Sequence, residues 1–198
     1  MAAVPKPGLT PEEYIAQERR AETKSEYVDG VAYAMTGASR EHNLIALNIG
    51  AELRQQLRGR PCETYAVDMR VRVSRNACFY PDVVVVCGKP QFEDASVDTF
   101  LNPTVIFEVL SPSTGDYDQG GKFARYRSLE ALHEYILVAQ AECHVMQFVR
   151  QPDNSWLLTE TRDRDGHLSI LSINADLSLA EIYDRVTFQD ATPSAAAS

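Results

Sequence analysis

What this chain lacks narrows its possibilities first. No apolar run approaches the roughly 18 residues needed to cross a bilayer, and the first eight residues carry Pro and Lys where a secretory signal would have its apolar stretch. A membrane-spanning protein is not expected, and a cytoplasmic location is. Cysteine is sparse: Cys62, Cys78, Cys87 and Cys143 lie far apart, with no Cys-x-x-Cys pair and no histidine at zinc-finger spacing. Neither a structural zinc site nor a disulfide framework is indicated, and buried free thiols are expected. Positive charge is also short, with 19 Lys and Arg against 28 Asp and Glu and a formal net charge of −9. That argues against a general nucleic-acid coat, whose affinity comes from cations neutralising phosphates. A nuclease with its basic residues in one cleft remains open, and metal-binding acids would themselves add negative charge.

The 198 residues suit one domain with a substantial core. Its expected extent is 10–188, between a flexible arm at 1–9 and a small, polar, disordered tail at 189–198. No internal repeat or linker divides it. Thr10-Pro11-Glu12-Glu13 is a helix start, with Thr as N-cap, Pro at the first helical position and Glu13 closing a capping box. Asp29-Gly30 between alternating residues is a hairpin turn. Ser39 caps a long helix whose expected buried face is Leu44, Leu47, Ala51, Leu53 and Leu57. Residues 62–73 alternate as one strand, which the Ser74 turn leads into a second at 80–86. Residues 88–102 form an acidic, irregular connection with room for a short helix. Strands follow at 103–110, 134–139, 142–150, 156–161 and 167–171, and a short helix capped by Ser178 ends the domain. The fold class is α/β (α+β), a mixed central sheet flanked by helices.

Two of these strands carry an acid where an apolar residue is expected. Asp82 opens the 80–86 strand, and Glu108 lies inside the 103–110 strand on the face shared by Ile106 and Leu110. An unpartnered ionised carboxylate is costly to bury, so each needs a cation or donors nearby. A buried arginine would suffice for one such acid. Two of them, with Asp116, Asp118 and Lys122 close behind in sequence, favour a shared metal site.

The run Pro81-Asp82, then Phe107-Glu108-Val109-Leu110-Ser111-Pro112-Ser113-Thr114, then Asp118, Lys122 and Tyr126, resembles the Uma family of putative restriction endonucleases in the PD-(D/E)XK nuclease superfamily. The likeness extends to Glu26-Tyr27-Val28-Asp29-Gly30, His42-Asn43 and Tyr135-Ile136-Leu137-Val138, covering about residues 10–179. It implies a restriction-endonuclease-like fold and Mg²⁺-dependent hydrolysis of DNA phosphodiester bonds, with Mn²⁺ able to substitute. Asp82, Glu108 and the backbone carbonyl of Val109 are the implied metal ligands, and a homodimer is implied by the need for two sites on a duplex. The chain departs from the superfamily pattern at Leu110, where the lysine of the strand usually stands. Lys122 is the replacement, with a solvated Asp118–Lys122 pair as the plainer alternative. Glu26 matches the family's early acid, as a further ligand or as the residue that orients a metal-bound water, with a polar residue on the hairpin's open face as the plainer alternative, and completes the implied catalytic set of Asp82, Glu108, Lys122 and Glu26.

Other residues read as structural. His42 is expected to serve the helix start, Asp68 to face solvent and Tyr126 to pack. Gly115 to Lys122 misses the phosphate-binding P-loop count, and Ser111 and Ser113 lack a nucleophile elbow. The competing expectation, motivated by Leu110 and the acidic surface, is a catalytically inactive nuclease-fold binding module. A hydrolase of some other phosphoester is a third.

Overall fold

The computed structural model describes residues 8–66, 68–111 and 115–188. The first seven residues of the expected arm, the expected tail and Pro112-Ser113-Thr114 lie outside the described residues. Leu9, by contrast, is tied down rather than flexible. Its N–H donates to the Gly30 carbonyl at 3.1 Å, and its own carbonyl accepts from the Tyr27 hydroxyl at 2.7 Å.

The local signals at the start of the chain are met. Helix α1 (Pro11–Glu18) opens with both arms of its capping box, Thr10 and Glu13. Strands β1 (Ser25–Val28) and β2 (Val31–Ala34) form a hairpin whose two-residue turn needs positive φ at both positions. Asp29 at 47° and Gly30 at 86° supply it. Helix α2 (Arg40–Gln56) is capped by Ser39, whose hydroxyl accepts from the His42 N–H. Its buried row is Ile45, Ile49, Leu53 and Leu57, whereas Leu47 is 65% exposed. The expected face was thus correct at Leu53 and Leu57 and out of phase at Leu47. The unbroken i, i+4 row through Ile45 buries four large side chains, and the competing row is interrupted by the small Ala51.

Strands β3 (Cys62–Ala66), β4 (Arg70–Ser74), β5 (Ala77–Phe79) and β6 (Val83–Cys87) correct the expected pair of long strands. Then come β7 (Thr99–Phe100), in place of the helix for which residues 88–102 had room, and β8 (Val105–Leu110). A continuous helical stretch follows: α3 (Gly115–Tyr117), a π-helical turn over Asp118–Lys122, and α4 (Phe123–Tyr126). The chain ends with β9 (Glu134–Ala139), β10 (Val145–Arg150), β11 (Trp156–Thr161), β12 (His167–Ile170), β13 (Ala175–Ser178) and α5 (Leu179–Ile182).

One sheet runs β2-β1-β5-β4-β7, and a larger one runs β11-β10-β9-β8-β6-β3. The expected 62–73 strand breaks because Asp68 turns left-handed at φ 71°, passing the chain from one sheet to the other. The return passage is at Pro81, which has no N–H to give a ladder. One long antiparallel ribbon is therefore shared between two sheets, β4 with β5 and β3 with β6. In the larger sheet β8 and β9 are parallel and the other pairs antiparallel, which is the mixed central sheet expected. Strand β8 is buried on both faces. Val105, Phe107 and Val109 join the core under α2, β12, β13 and α5, and Ile106 and Leu110 join the core shared with β4, β5 and α4.

The expectation of free thiols fails for one pair. Cys62 and Cys87 are cross-strand partners in the β3–β6 ladder, with Cα atoms 4.0 Å apart, and form a disulfide. Cys78 and Cys143 are free. Among the described residues no helix is long and apolar enough to cross a membrane.

Candidate functional site

Glu108 points into the core between the sheets, on the face of β8 that also carries Ile106 and Leu110. Its Oε1 accepts from Lys122 Nζ at 3.2 Å and from the Tyr126 hydroxyl at 3.1 Å. Lys122 Nζ lies at the same time 2.9 Å from Glu26 Oε1 and 3.3 Å from Asp118 Oδ1. All four charged side chains are buried. Glu26 is brought in by β1, where its Oε1 also accepts from the Tyr80 N–H at 3.3 Å. Asp118 and Lys122 are the two ends of the π-helical turn, a conformation that recurs at functional sites. Gly121 sits inside that turn, where an added Cβ would come within 2.6 Å of the Tyr117 ring.

Asp82 reaches the site from the other side of β8. The β6–β8 ladder pairs Val83 with Phe107 and Val84 with Ile106, and Asp82 stands just before its first pair, next to the end of β8 that carries Glu108 and Val109. The Val109 N–H, past the end of the ladder, donates to Asp82 Oδ2 at 2.7 Å. The carbonyl of a strand residue points to the same side as its N–H. Val109 thus directs its carbonyl to the β6 side, past the end of the ladder, where Pro81 has no N–H to offer. The Pro-Asp pair therefore both brings a carboxylate beside β8 and withholds a hydrogen bond from the neighbouring carbonyl. The second oxygen of Asp82, Oδ1, is 2.8 Å from His42 Nε2 in the first turn of α2.

The charges in this core are unequal: Glu26, Glu108 and Asp118 share one lysine, and Asp82 adds a further negative charge near Glu108. Burial pushes the Glu108 carboxyl well above the usual carboxylate range. Lys122 pulls it down, and Asp118, Asp82 and Glu26 push it further up. For Lys122, burial favours the neutral amine, but Glu108, Glu26 and Asp118 outweigh it and hold the ammonium well above its ordinary value. Burial, together with Glu108, likewise raises Tyr126. Both directions favour a charged lysine beside a Glu108 carboxyl shifted toward its neutral form.

Of the residues singled out in the sequence, Glu26, Glu108 and Lys122 meet directly, and Asp82 and Val109 adjoin them through β8. The Asp118–Lys122 pair, read as a solvated alternative to a site role, is buried and part of the same cluster. Tyr126 packs as expected and also donates to Glu108. Asp68 is exposed and pairs with Lys24. His42, assigned only to the helix start, was missed; its i, i+3 spacing from Ser39 explains the cap and gives no hint of Asp82, 40 residues away.

The donor set can be tested against a hard divalent cation. Two carboxylates and a carbonyl without a ladder donor are all oxygen, as Mg²⁺ prefers, and Mg²⁺ commonly takes one or two carboxylates and completes its shell with waters and substrate oxygens. Among the described residues no three His, Cys, Asp or Glu side chains converge to hold an ion unaided. The fit is to such a shared shell rather than to a closed cage. Asp118 Oδ1, buried with an ion pair but no hydrogen bond, marks acceptor capacity left over in the cluster.

The sequence and the fold are similar to those of known proteins. The family model Uma2, described as a putative restriction endonuclease, matches residues 11–181. The Synechocystis protein sll1609 is 37% identical over 161 residues, covering 81% of this chain and 91% of its own length. A second Synechocystis protein, slr1290, is 33% identical over 187 residues, covering 94% and 97%. Both carry the description "uncharacterized". A crystal structure described as a putative nuclease belonging to DUF820, from Anabaena variabilis, superposes with a TM-score of 0.76 at 15% identity, covering 90% of this chain and 99% of that one. That structure shares the fold.

Proposed function

The chain belongs to the Uma2 family, described as putative restriction endonucleases, and from that premise we propose that it is a metal-dependent DNA endonuclease hydrolysing phosphodiester bonds. The observation that carries the reading is the buried ammonium of Lys122, 3.2 Å from Glu108 on the strand beside Asp82.

Asp82, Glu108 and the Val109 carbonyl would hold Mg²⁺, with Mn²⁺ a substitute. When bound, the ion supplies a water of lowered pKa and polarises the scissile phosphate. The chain's own residues do the rest. Lys122, kept charged by its carboxylates, offers an ammonium to the phosphate oxygens as negative charge builds on them. Glu26 and Asp118 hold that ammonium together with Glu108, so it is oriented before substrate arrives. Glu26, which shares the Lys122 ammonium with Glu108, would also accept a hydrogen bond from a metal-bound water. Tyr126 fixes the Glu108 carboxyl through Oε1. The protein acts as a homodimer on duplex DNA in this reading, each copy cutting one strand.

Leu110 motivated the inactive alternative, but the ammonium arrives from the π-helical turn instead, so Leu110 no longer favours it. The test is cleavage of plasmid and single-stranded DNA with Mg²⁺ or Mn²⁺, alongside Asp82→Ala and Glu108→Ala. Metal-dependent cutting that both substitutions abolish is the expected result. Activity untouched by either, or no cutting of any nucleic acid, contradicts it.

A further inference from the structure

We infer that His42 is a positioning residue for Asp82, fixing the carboxylate in the orientation from which it serves as a metal ligand; the last step rests on the function proposed above. The ring contact is separate from the helix cap. Ser39 accepts from the backbone N–H of residue 42, which any side chain but proline leaves intact. The imidazole is therefore spare, and it is used on Asp82 Oδ1 at 2.8 Å. An ionised carboxylate only accepts, so the proton of this bond is on Nε2.

Asp82 needs such a hold. It lies in the bend between β5 and β6, outside either ladder, where backbone pairing does not restrain it. The Val109 N–H takes Oδ2 and His42 takes Oδ1, so the carboxylate is gripped through both oxygens from two different elements. Each grip is rigid. Val109 is in the buried central strand, and α2 is anchored by Ile45, Ile49 and Leu53, all fully buried. His42 is also in the first turn of a 17-residue helix, whose positive end favours a carboxylate beside it. Groups that orient a metal ligand in this way typically change metal affinity by about 10–100-fold when removed.

The experiment uses the full chain with His42→Ala and His42→Gln, the latter keeping an N–H donor near the position of Nε2. In the metal-free protein, amide exchange of Val109 is followed by NMR; with metal, Mn²⁺ is titrated by calorimetry. Loss of the His42 bond lets Asp82 swing, so Val109 exchange is expected to rise about tenfold in His42→Ala while Phe107 is unchanged, and Mn²⁺ affinity to fall about 10–100-fold. His42→Gln should recover most of both. Unchanged exchange in His42→Ala overturns the inference, even if Mn²⁺ binding falls, because His42 would then act on the ion directly. Equal losses in Ala and Gln also overturn it. Exchange that responds in a chain taking up no Mn²⁺ supports the positioning role and removes the metal reading instead.

Discussion

Lys122 and Glu108 are 14 residues apart along the chain and meet at 3.2 Å inside the core. The ammonium is supplied by a helical turn that follows the acidic strand, across the face from which Leu110 projects. This arrangement gives the lysine a structural role beside the chemical one proposed for it, because Glu26, Glu108 and Asp118 share it as their cation.

Replacing Lys122 by Met therefore leaves three buried acids without a counter-charge. Breaking a buried pair on one side costs about 3–5 kcal/mol, so thermal unfolding should show a large drop. The drop should be smaller at pH 5 than at pH 8, because protonation can neutralise the orphaned acids. Restoring part of it with Glu108→Gln in the same chain would tie the loss to this cluster. A Lys122→Met chain as stable as the parent at pH 8 would contradict the pairing.

Glu108 gives a pH dependence of definite sign. Its carboxyl is raised in the fold above its unfolded value, first by burial, so folding favours the protonated form. The stability this contributes is complete below the unfolded value of about 4.3, and it is lost as pH rises through the folded value. Glu108→Gln escapes that loss. Its melting temperature relative to the parent should therefore climb between pH 5 and pH 8 in metal-free buffer, and a flat difference would count against the assignment.

The two glycines of the π-helical turn should respond oppositely to alanine. An added Cβ at Gly120 meets nothing within 4 Å, whereas at Gly121 it strikes the Tyr117 ring. Gly120→Ala should be neutral or stabilising by up to about 1 kcal/mol. Gly121→Ala should lower stability and DNA cleavage together, and adding Tyr117→Ala should relieve it. Equal effects at both glycines would show that the turn does not set the position of Lys122.

The disulfide predicts that two of the four cysteines resist alkylation in the unreduced, unfolded protein, and peptide mapping should identify them as Cys62 and Cys87. Reduction should lower stability by about 2–4 kcal/mol. Four alkylated thiols without reductant would contradict the pairing.

Much of this architecture could be read from local chemistry. Thr10, Ser39 and Ser178 cap their helices, Asp29-Gly30 turns its hairpin, and the alternation in β8 singles out Glu108. These signals act over a few residues. What escaped depends on partners far apart in the chain. Nothing near Asp68 announces that the strand will change sheets there, and the Cys62–Cys87 pairing follows only from β3–β6 register. The exposed Leu47 and the buried Ile45 differ by less than a turn, and only the sheet packed against α2 decides between them. The site shows the same division. Asp82 and Glu108 are visible as acids in apolar strands, and Glu26 and Lys122 through the resemblance to the family, but the grip of His42 on Asp82 required α2 to be laid against β8.

The most direct test is diffraction from crystals soaked in Mn²⁺, with the ion located by its anomalous signal. The account predicts one strong peak within about 2 Å of oxygens from both Asp82 and Glu108, with the Val109 carbonyl in the same shell. A peak elsewhere, or full-strength Mn²⁺-dependent DNA cleavage in crystals and solutions where Asp82 and Glu108 bind no ion, would contradict it.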